Sequence, residues 1–191
     1  MKFLYDVVTV GTATRDILLK SELFKVVHDP EHLEKLGFPM GDAQCFALGG
    51  KIEVEAPILT TGGGATNAAV TFARQGFKAA ALIKVGTDAP ADEIIKELKR
   101  EKVTPFAIKE KKHGTAYSVI LLAPGGERTI LNYRGASEDL AKKEIPFAKL
   151  NARWIYIVPG RIPFPVIESI VRYGHARGSR IAINPSKYYI E

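Results

Sequence analysis

Residues 61–86 read TGGGATNAAVTFARQGFKAAALIKVG, and the change of periodicity inside this stretch decides the fold class. Three glycines open a turn. Ala65 to Gln75 then carries Ala69, Val70, Phe72 and Ala73 at helical spacing, and Gly76 ends the helix because a residue without a Cβ accepts the left-handed closing conformation. Lys78 to Val85 is a nearly continuous apolar run, the pattern of a strand covered on both faces. Before it, Asp6 to Val10 is a β-branched run ending at Gly11, and Ile17 to Leu19 is extended. After it, Ala91 to Lys102 sets Ile94, Ile95 and Leu98 on one helical stripe, and Val103 to Ile108 extends again. Pro146 to Leu150 reads as a short helix, Trp154 to Val158 as a buried strand, Phe164 to Arg177 as a helix, and Ile181 to Asn184 as a further strand with no helix after it. This alternation predicts an α/β fold with a doubly wound sheet.

Two hairpins interrupt the rhythm. Gln44 to Leu48 and Lys51 to Glu55 flank Gly49-Gly50, and Thr115 to Leu122 and Arg128 to Tyr133 flank Pro124-Gly125-Gly126-Glu127. Together they predict a small antiparallel flap. Ser21 to Asp42 is expected to be mostly irregular, because Pro30, Gly37 and Pro39 break the helix-like stretch Glu31 to Leu36.

Composition narrows the functional classes. The chain has 191 residues, 46% of them hydrophobic and 25% charged, enough for a packed core and unlike a disordered tail. The net charge is +6, but basic and acidic residues alternate, as in Glu97, Lys99, Arg100, Glu101 and Lys102, which describes a solvated face and not a nucleic-acid patch. No apolar run approaches the roughly 20 residues of a membrane-spanning helix, and Asp6 interrupts the N-terminal apolar run, so neither membrane span nor signal peptide is expected. A single cysteine, Cys45, excludes a disulfide framework and points to the cytoplasm. His28 and His32 have a helical metal-ligand spacing, but Pro30 between them makes them surface histidines, and no metal site is expected. His113 sits in a turn and His175 on a polar helix end, while Trp154 and Phe164 read as core residues.

The chemistry concentrates at Gly62-Gly63-Gly64-Ala65-Thr66-Asn67. Glycines let a ligand approach the backbone, free N–H groups at a helix start favour hydroxyls or anions, and the Asn67 amide can donate and accept toward a polyhydroxylated ligand. A tight connection with no ligand accounts equally well for these residues alone. A dinucleotide-binding turn does not, because this is not the first strand-to-helix turn and no acidic residue closes the βαβ unit.

The stretch from Gly63 through Asn67, Ala69 and Gly76 to Gly86 resembles the first signature of the ribokinase-like (PfkB) carbohydrate kinases. Gly11 followed by Asp16, Val85-Gly86-Thr87-Asp88, Gly114-Thr115-Ala116, Gly125-Gly126-Glu127-Arg128, Arg134-Gly135-Ala136 and Asn184-Pro185 extend the resemblance over nearly the whole chain. It implies a Rossmann-like doubly wound sheet with a β lid whose strands fall at about 15–20, 44–56 and 115–133. Residues 1–191 would form the N-terminal part of one ribokinase-like domain, with its C-terminal half beyond Glu191.

The resemblance further implies a sugar or nucleoside kinase that transfers the γ-phosphoryl group of ATP, with Mg2+, to a hydroxyl. Asp16, Gly62, Gly63 and Asn67 would bind substrate, and Arg134 and Asn184 would make further phosphate or substrate contacts. The catalytic base and the Asn-x-x-Glu magnesium motif would lie beyond Glu191, so no catalytic residue is assigned in this chain. A non-catalytic sugar- or nucleoside-binding module is the alternative. Departures from the family pattern are Ala91 in place of a glycine and Pro159-Gly160 in place of a polar residue that reaches the sugar. Expected partners are the small-molecule substrate and a second copy, through the lid as a homodimer or along an open sheet edge.

Overall fold

The computed structural model describes residues 2–38 and 41–190; the helix breaker Pro39 lies outside them. The chain divides into two units. One comprises residues 1–15, 61–117 and 133–191, and the other 16–60 and 118–132.

In the first unit, strands β1 (Tyr5–Gly11), β6 (Ala79–Val85), β7 (Thr104–Lys109), β10 (Ala152–Val158) and β11 (Arg180–Ile183) form one sheet in the order β11-β10-β1-β6-β7. Every pairing is parallel, with Val8 opposite Ala80 on one side and Ile155 on the other. The apolar run of the sequence is therefore the strand beside the central one, and all seven residues of β6 are buried. Alternation sorts its side chains. Ala79, Ala81, Ile83 and Val85 join Ala65, Ala69, Ile94 and Leu98 of helices α2 (Gly64–Arg74) and α3 (Ala89–Arg100). Ala80 and Leu82 face the other way, into a core with Ile155, Ile157 and the Val166, Ile167 and Ile170 of α4 (Phe164–Ala176). The helices thus cover both faces, as a doubly wound sheet requires. Small alanines on β6 and α2 let the helix approach closely.

Most of the second unit's residues in strands belong to β2 (Thr14–Lys20), β5 (Ile58–Gly62), β8 (Tyr117–Leu122) and β9 (Arg128–Tyr133), which form an antiparallel sheet in the order β5-β2-β8-β9. β8 and β9 are the second predicted hairpin. The first is a correction. Gly50 N–H does close a turn on the Ala47 carbonyl at 3.1 Å, but no strand follows over 46–57. Instead β4 (Asp42–Cys45) pairs antiparallel with β3 (Lys25–His28), a strand within the segment expected to be irregular. Leu48 is fully exposed, so the stretch around the Gly-Gly turn has no buried face to fix a strand register. The lid strand expected at 44–56 is accordingly a strand only at its start.

Helix α1 (Pro30–Lys35) forms where breakers suggested loop, because Pro30 stands in the first turn, where its missing N–H costs nothing, and Asp29 caps the N–H of His32 at 3.2 Å. A short α5 (Lys187–Ile190) follows β11. The expected helix at 146–150 is a single 3-10 turn, Phe147–Lys149. Phe164 is 63% exposed and Trp154 38%, so neither is the core residue expected of it. Among the described residues no helix is long and apolar enough to cross a membrane.

Candidate functional site

The residues singled out in the sequence that belong to the first unit gather at the carboxyl ends of the parallel strands. In an open α/β sheet this edge collects the loops, and ligands bind there. At its centre is Thr12, the residue after β1. Its hydroxyl accepts the Gly64 N–H at 3.0 Å and its carbonyl accepts the Ala65 N–H at 3.1 Å. The first N–H groups of α2 are thus spent on Thr12, which corrects the expectation that they are free for a ligand. Gly63 has φ of +102°, and a Cβ there would stand 2.5 Å from the Thr12 carbonyl oxygen. Only glycine brings the two loops into contact this closely. The Thr66 hydroxyl donates back to the Gly62 and Gly63 carbonyls and fixes the turn.

Gly62, Gly63 and Asn67 therefore share one turn, Gly62 buried and Asn67 exposed in the first turn of α2. Arg134 begins the 3-10 segment Gly135–Glu138, and its guanidinium donates to Glu138 at 2.6 Å. Asn184 is exposed just past β11, and its N–H donates to the Ile157 carbonyl at 2.9 Å. Asp16 is half-buried on β2 and belongs to the second unit. Its neighbour Arg15, the last residue of the first unit, contacts the Glu97 carboxylate at 3.3 Å, and the same oxygen accepts the Thr61 hydroxyl at 2.6 Å.

Three of the quoted sequence motifs interlock. The Asp88 carboxylate caps α3 through the Ala91 N–H at 3.2 Å and accepts the Thr115 N–H at 2.8 Å together with the Thr115 hydroxyl. Gly86 N–H donates to that hydroxyl at 3.0 Å. Burial works against ionisation of Asp88, but the Thr115 hydroxyl and the N–H donors outweigh it and hold the carboxyl below the usual range. Gly135 then fits against Gly114 with φ of +47°, where a Cβ would stand 2.3 Å from the Gly114 carbonyl oxygen. The motifs around residues 86, 114 and 135 are thus mutual supports for the site.

A second network lies beside them. Lys84, 4% exposed, bridges Glu144 at 2.9 Å and Glu110 at 3.1 Å and donates to the Asp139 carbonyl. Burial works to discharge its ammonium, and the two carboxylates outweigh that and raise its pKa. Glu110 also accepts from His113 at 2.9 Å, and these two with Asp139 form the one acidic and histidine group among the described residues close enough to hold a metal. It does not fit Mg2+, because the Lys84 ammonium already neutralises Glu110 from the buried side. Thr12 and Lys84 were not legible in the sequence. Lys84 reads as one polar break in an apolar strand, and Thr12 acquires its place only through contacts distant in sequence.

A sequence model of the pfkB family carbohydrate kinases matches residues 30–164. The ribokinase of Staphylococcus aureus (strain COL) is 29% identical over 129 residues, which are 65% of this chain and 42% of that relative. The crystal structure of Sa239 matches with a TM-score of 0.76 at 26% identity, over 96% of this chain and 55% of that one. Arabidopsis thaliana ribokinase complexed with ribose and ATP matches with a TM-score of 0.74 at 17% identity, over 94% and 53%. The chain spans about half the length of these relatives.

Proposed function

Because the chain belongs to the pfkB family of carbohydrate kinases, we propose that it is the acceptor-binding portion of a sugar or nucleoside kinase, in which the γ-phosphoryl group of ATP passes to a substrate hydroxyl. The observation that carries this reading is the backbone cradle at the carboxyl edge of the sheet, where Gly63 packs on Thr12 and leaves Asn67 exposed above the turn. In this reading Asp16 accepts two substrate hydroxyl bonds in fixed geometry, and the Gly62-Gly63 backbone lets the ring approach without a side chain between. The Asn67 amide donates and accepts toward further hydroxyls, and Arg134 and Asn184 provide outer contacts. The four-stranded sheet takes the part of the lid that the resemblance implies. A homodimer through that lid, whose β9 is exposed at every residue, belongs to the same reading. ATP supplies the phosphoryl group. The Glu110, His113 and Asp139 group does not fit its magnesium, and no step is routed through it.

Titration calorimetry of the chain with D-ribose, D-fructose and adenosine tests the proposal. Binding of at least one is expected, and Asp16→Ala should raise its dissociation constant tenfold or more, since each charge-assisted bond lost costs roughly 1.5 to 3 kcal/mol. Equal affinities would remove Asp16 from the site, and no binding by either protein would end the reading. In a coupled ADP-release assay the chain by itself is expected to bind without turnover. Turnover would place the catalytic groups within it.

A further inference from the structure

We infer that Glu138 is a specificity-determining residue of the acceptor site, where its carboxylate selects neutral polyhydroxylated acceptors over anionic ones; this rests on the function proposed above. Gly160 lies just past β10. Its φ is +58°, and a Cβ there would stand 2.8 Å from Thr12 Cγ2 and 3.8 Å from Glu138 Oε1. Position 160 thus contributes no side chain, and the polar group beside it comes from Glu138, on the neighbouring 3-10 segment.

Thr12 ties this corner to the glycine turn. Its hydroxyl receives the Gly64 N–H while its methyl faces Gly160, so Glu138 and the cradle stand on two sides of one threonine. Glu138 is held in place. Its side chain is 17% exposed, Oε1 accepts from Arg134 Nη1 at 2.6 Å, and the following residue, Asp139, offers its carbonyl to the buried Lys84 ammonium. The Gly135 end of the segment is fixed by the Ala136 N–H donating to the Gly114 carbonyl at 2.9 Å.

A carboxylate offers about four lone-pair sites, and Arg134 fills one. The remainder can accept a pair of adjacent hydroxyls, as on a furanose or ketose ring. Arg134 takes Oε1, so a phosphate or carboxylate on a ligand that approaches the remaining acceptor sites of Glu138 would meet a like charge. Pairing like charges at short range in a partly desolvated corner opposes binding.

The test compares the wild-type chain with Glu138→Gln and Glu138→Ala by titration calorimetry. D-Ribose, D-fructose and adenosine serve as neutral ligands and D-gluconate and ribose 5-phosphate as anionic ones, with thermal melts as the check on folding. Gln keeps the shape and the acceptor for Arg134 while removing the charge. Glu138→Gln is expected to weaken the best neutral ligand about tenfold and to narrow the neutral-over-anionic preference by a similar factor. The loss should vanish for one monodeoxy analogue of that ligand, which marks the hydroxyl that Glu138 receives. Wild-type binding with unchanged preferences in a folded Glu138→Gln overturns the role of Glu138 and leaves the proposed function standing. Failure of the wild type to bind any neutral ligand, with Asp16→Ala equally silent, overturns both.

Discussion

Every residue of β6 in the five-stranded sheet is buried, whereas every residue of β9 in the four-stranded sheet is exposed. The sequences AAALIKV and RTILNY are of similar length, so the contrast comes from what surrounds them. β6 has strands on both sides and helices on both faces. β9 is an edge strand, and its consecutive Ile130 and Leu131 are both about half exposed; because successive side chains point to opposite faces, neither face of that edge is covered. One unit is specified by packing from all directions, and the other by pairing along the strands.

The contrast predicts a descending series of effects. Leu82→Ala, at a fully buried position, should cost about 4 kcal/mol in urea unfolding, because the cavity is walled by strands and helices that cannot close on it. Lys84→Met should cost about 3 kcal/mol by leaving Glu110 and Glu144 without their cation, somewhat less than a deeper pair because Glu144 can rehydrate. Asp88→Ala should cost about 1 to 2 kcal/mol through the lost helix cap and the stranded Thr115 N–H.

Asp88 also sharpens the comparison through pH. Its folded pKa is depressed, as is that of Glu110, where burial works against ionisation and Lys84 and His113 outweigh it. Their stabilisation is therefore fully present above the ordinary carboxyl pKa of about 4 and is lost as the pH falls below it through the depressed values. Unfolding midpoints of the wild type should drop across that acid window, and those of Asp88→Ala should drop less. Leu131→Ala, on the exposed strand, should change stability by under about 0.5 kcal/mol. A large destabilisation there would mean that β9 is buried in solution, and sedimentation velocity would then identify self-association as the cause.

Legibility in the sequence follows the same division. The stretch 61–86 declared its helix and strand because both periodicities are imposed by burial on the chain itself. Gly49-Gly50 announced a turn, and a turn is there, but strand pairing depends on a partner, and Cys45 found Lys25 instead of a residue across the turn. Lys25-Val26-Val27-His28 is exposed throughout and carries no alternation, so nothing local marks it as a strand. Gly62, Gly63 and Asn67 could be grouped because they are neighbours in sequence. Glu138 could not, since its place beside Gly160 and Thr12 exists only once β1 and β10 have paired.

That pairing also sets an order of events. Strand β1 is made first and lies at the centre of its sheet, yet Val8 meets Ile155 only when β10 has been synthesised, on the order of ten seconds after β6 at ordinary rates of translation. During this interval the growing chain can dock β1 on β6 but must keep the opposite edge of an apolar strand unpaired. An open edge of this kind is where nascent chains join one another, so the waiting time of β1 is the interval in which this fold is most exposed to aggregation.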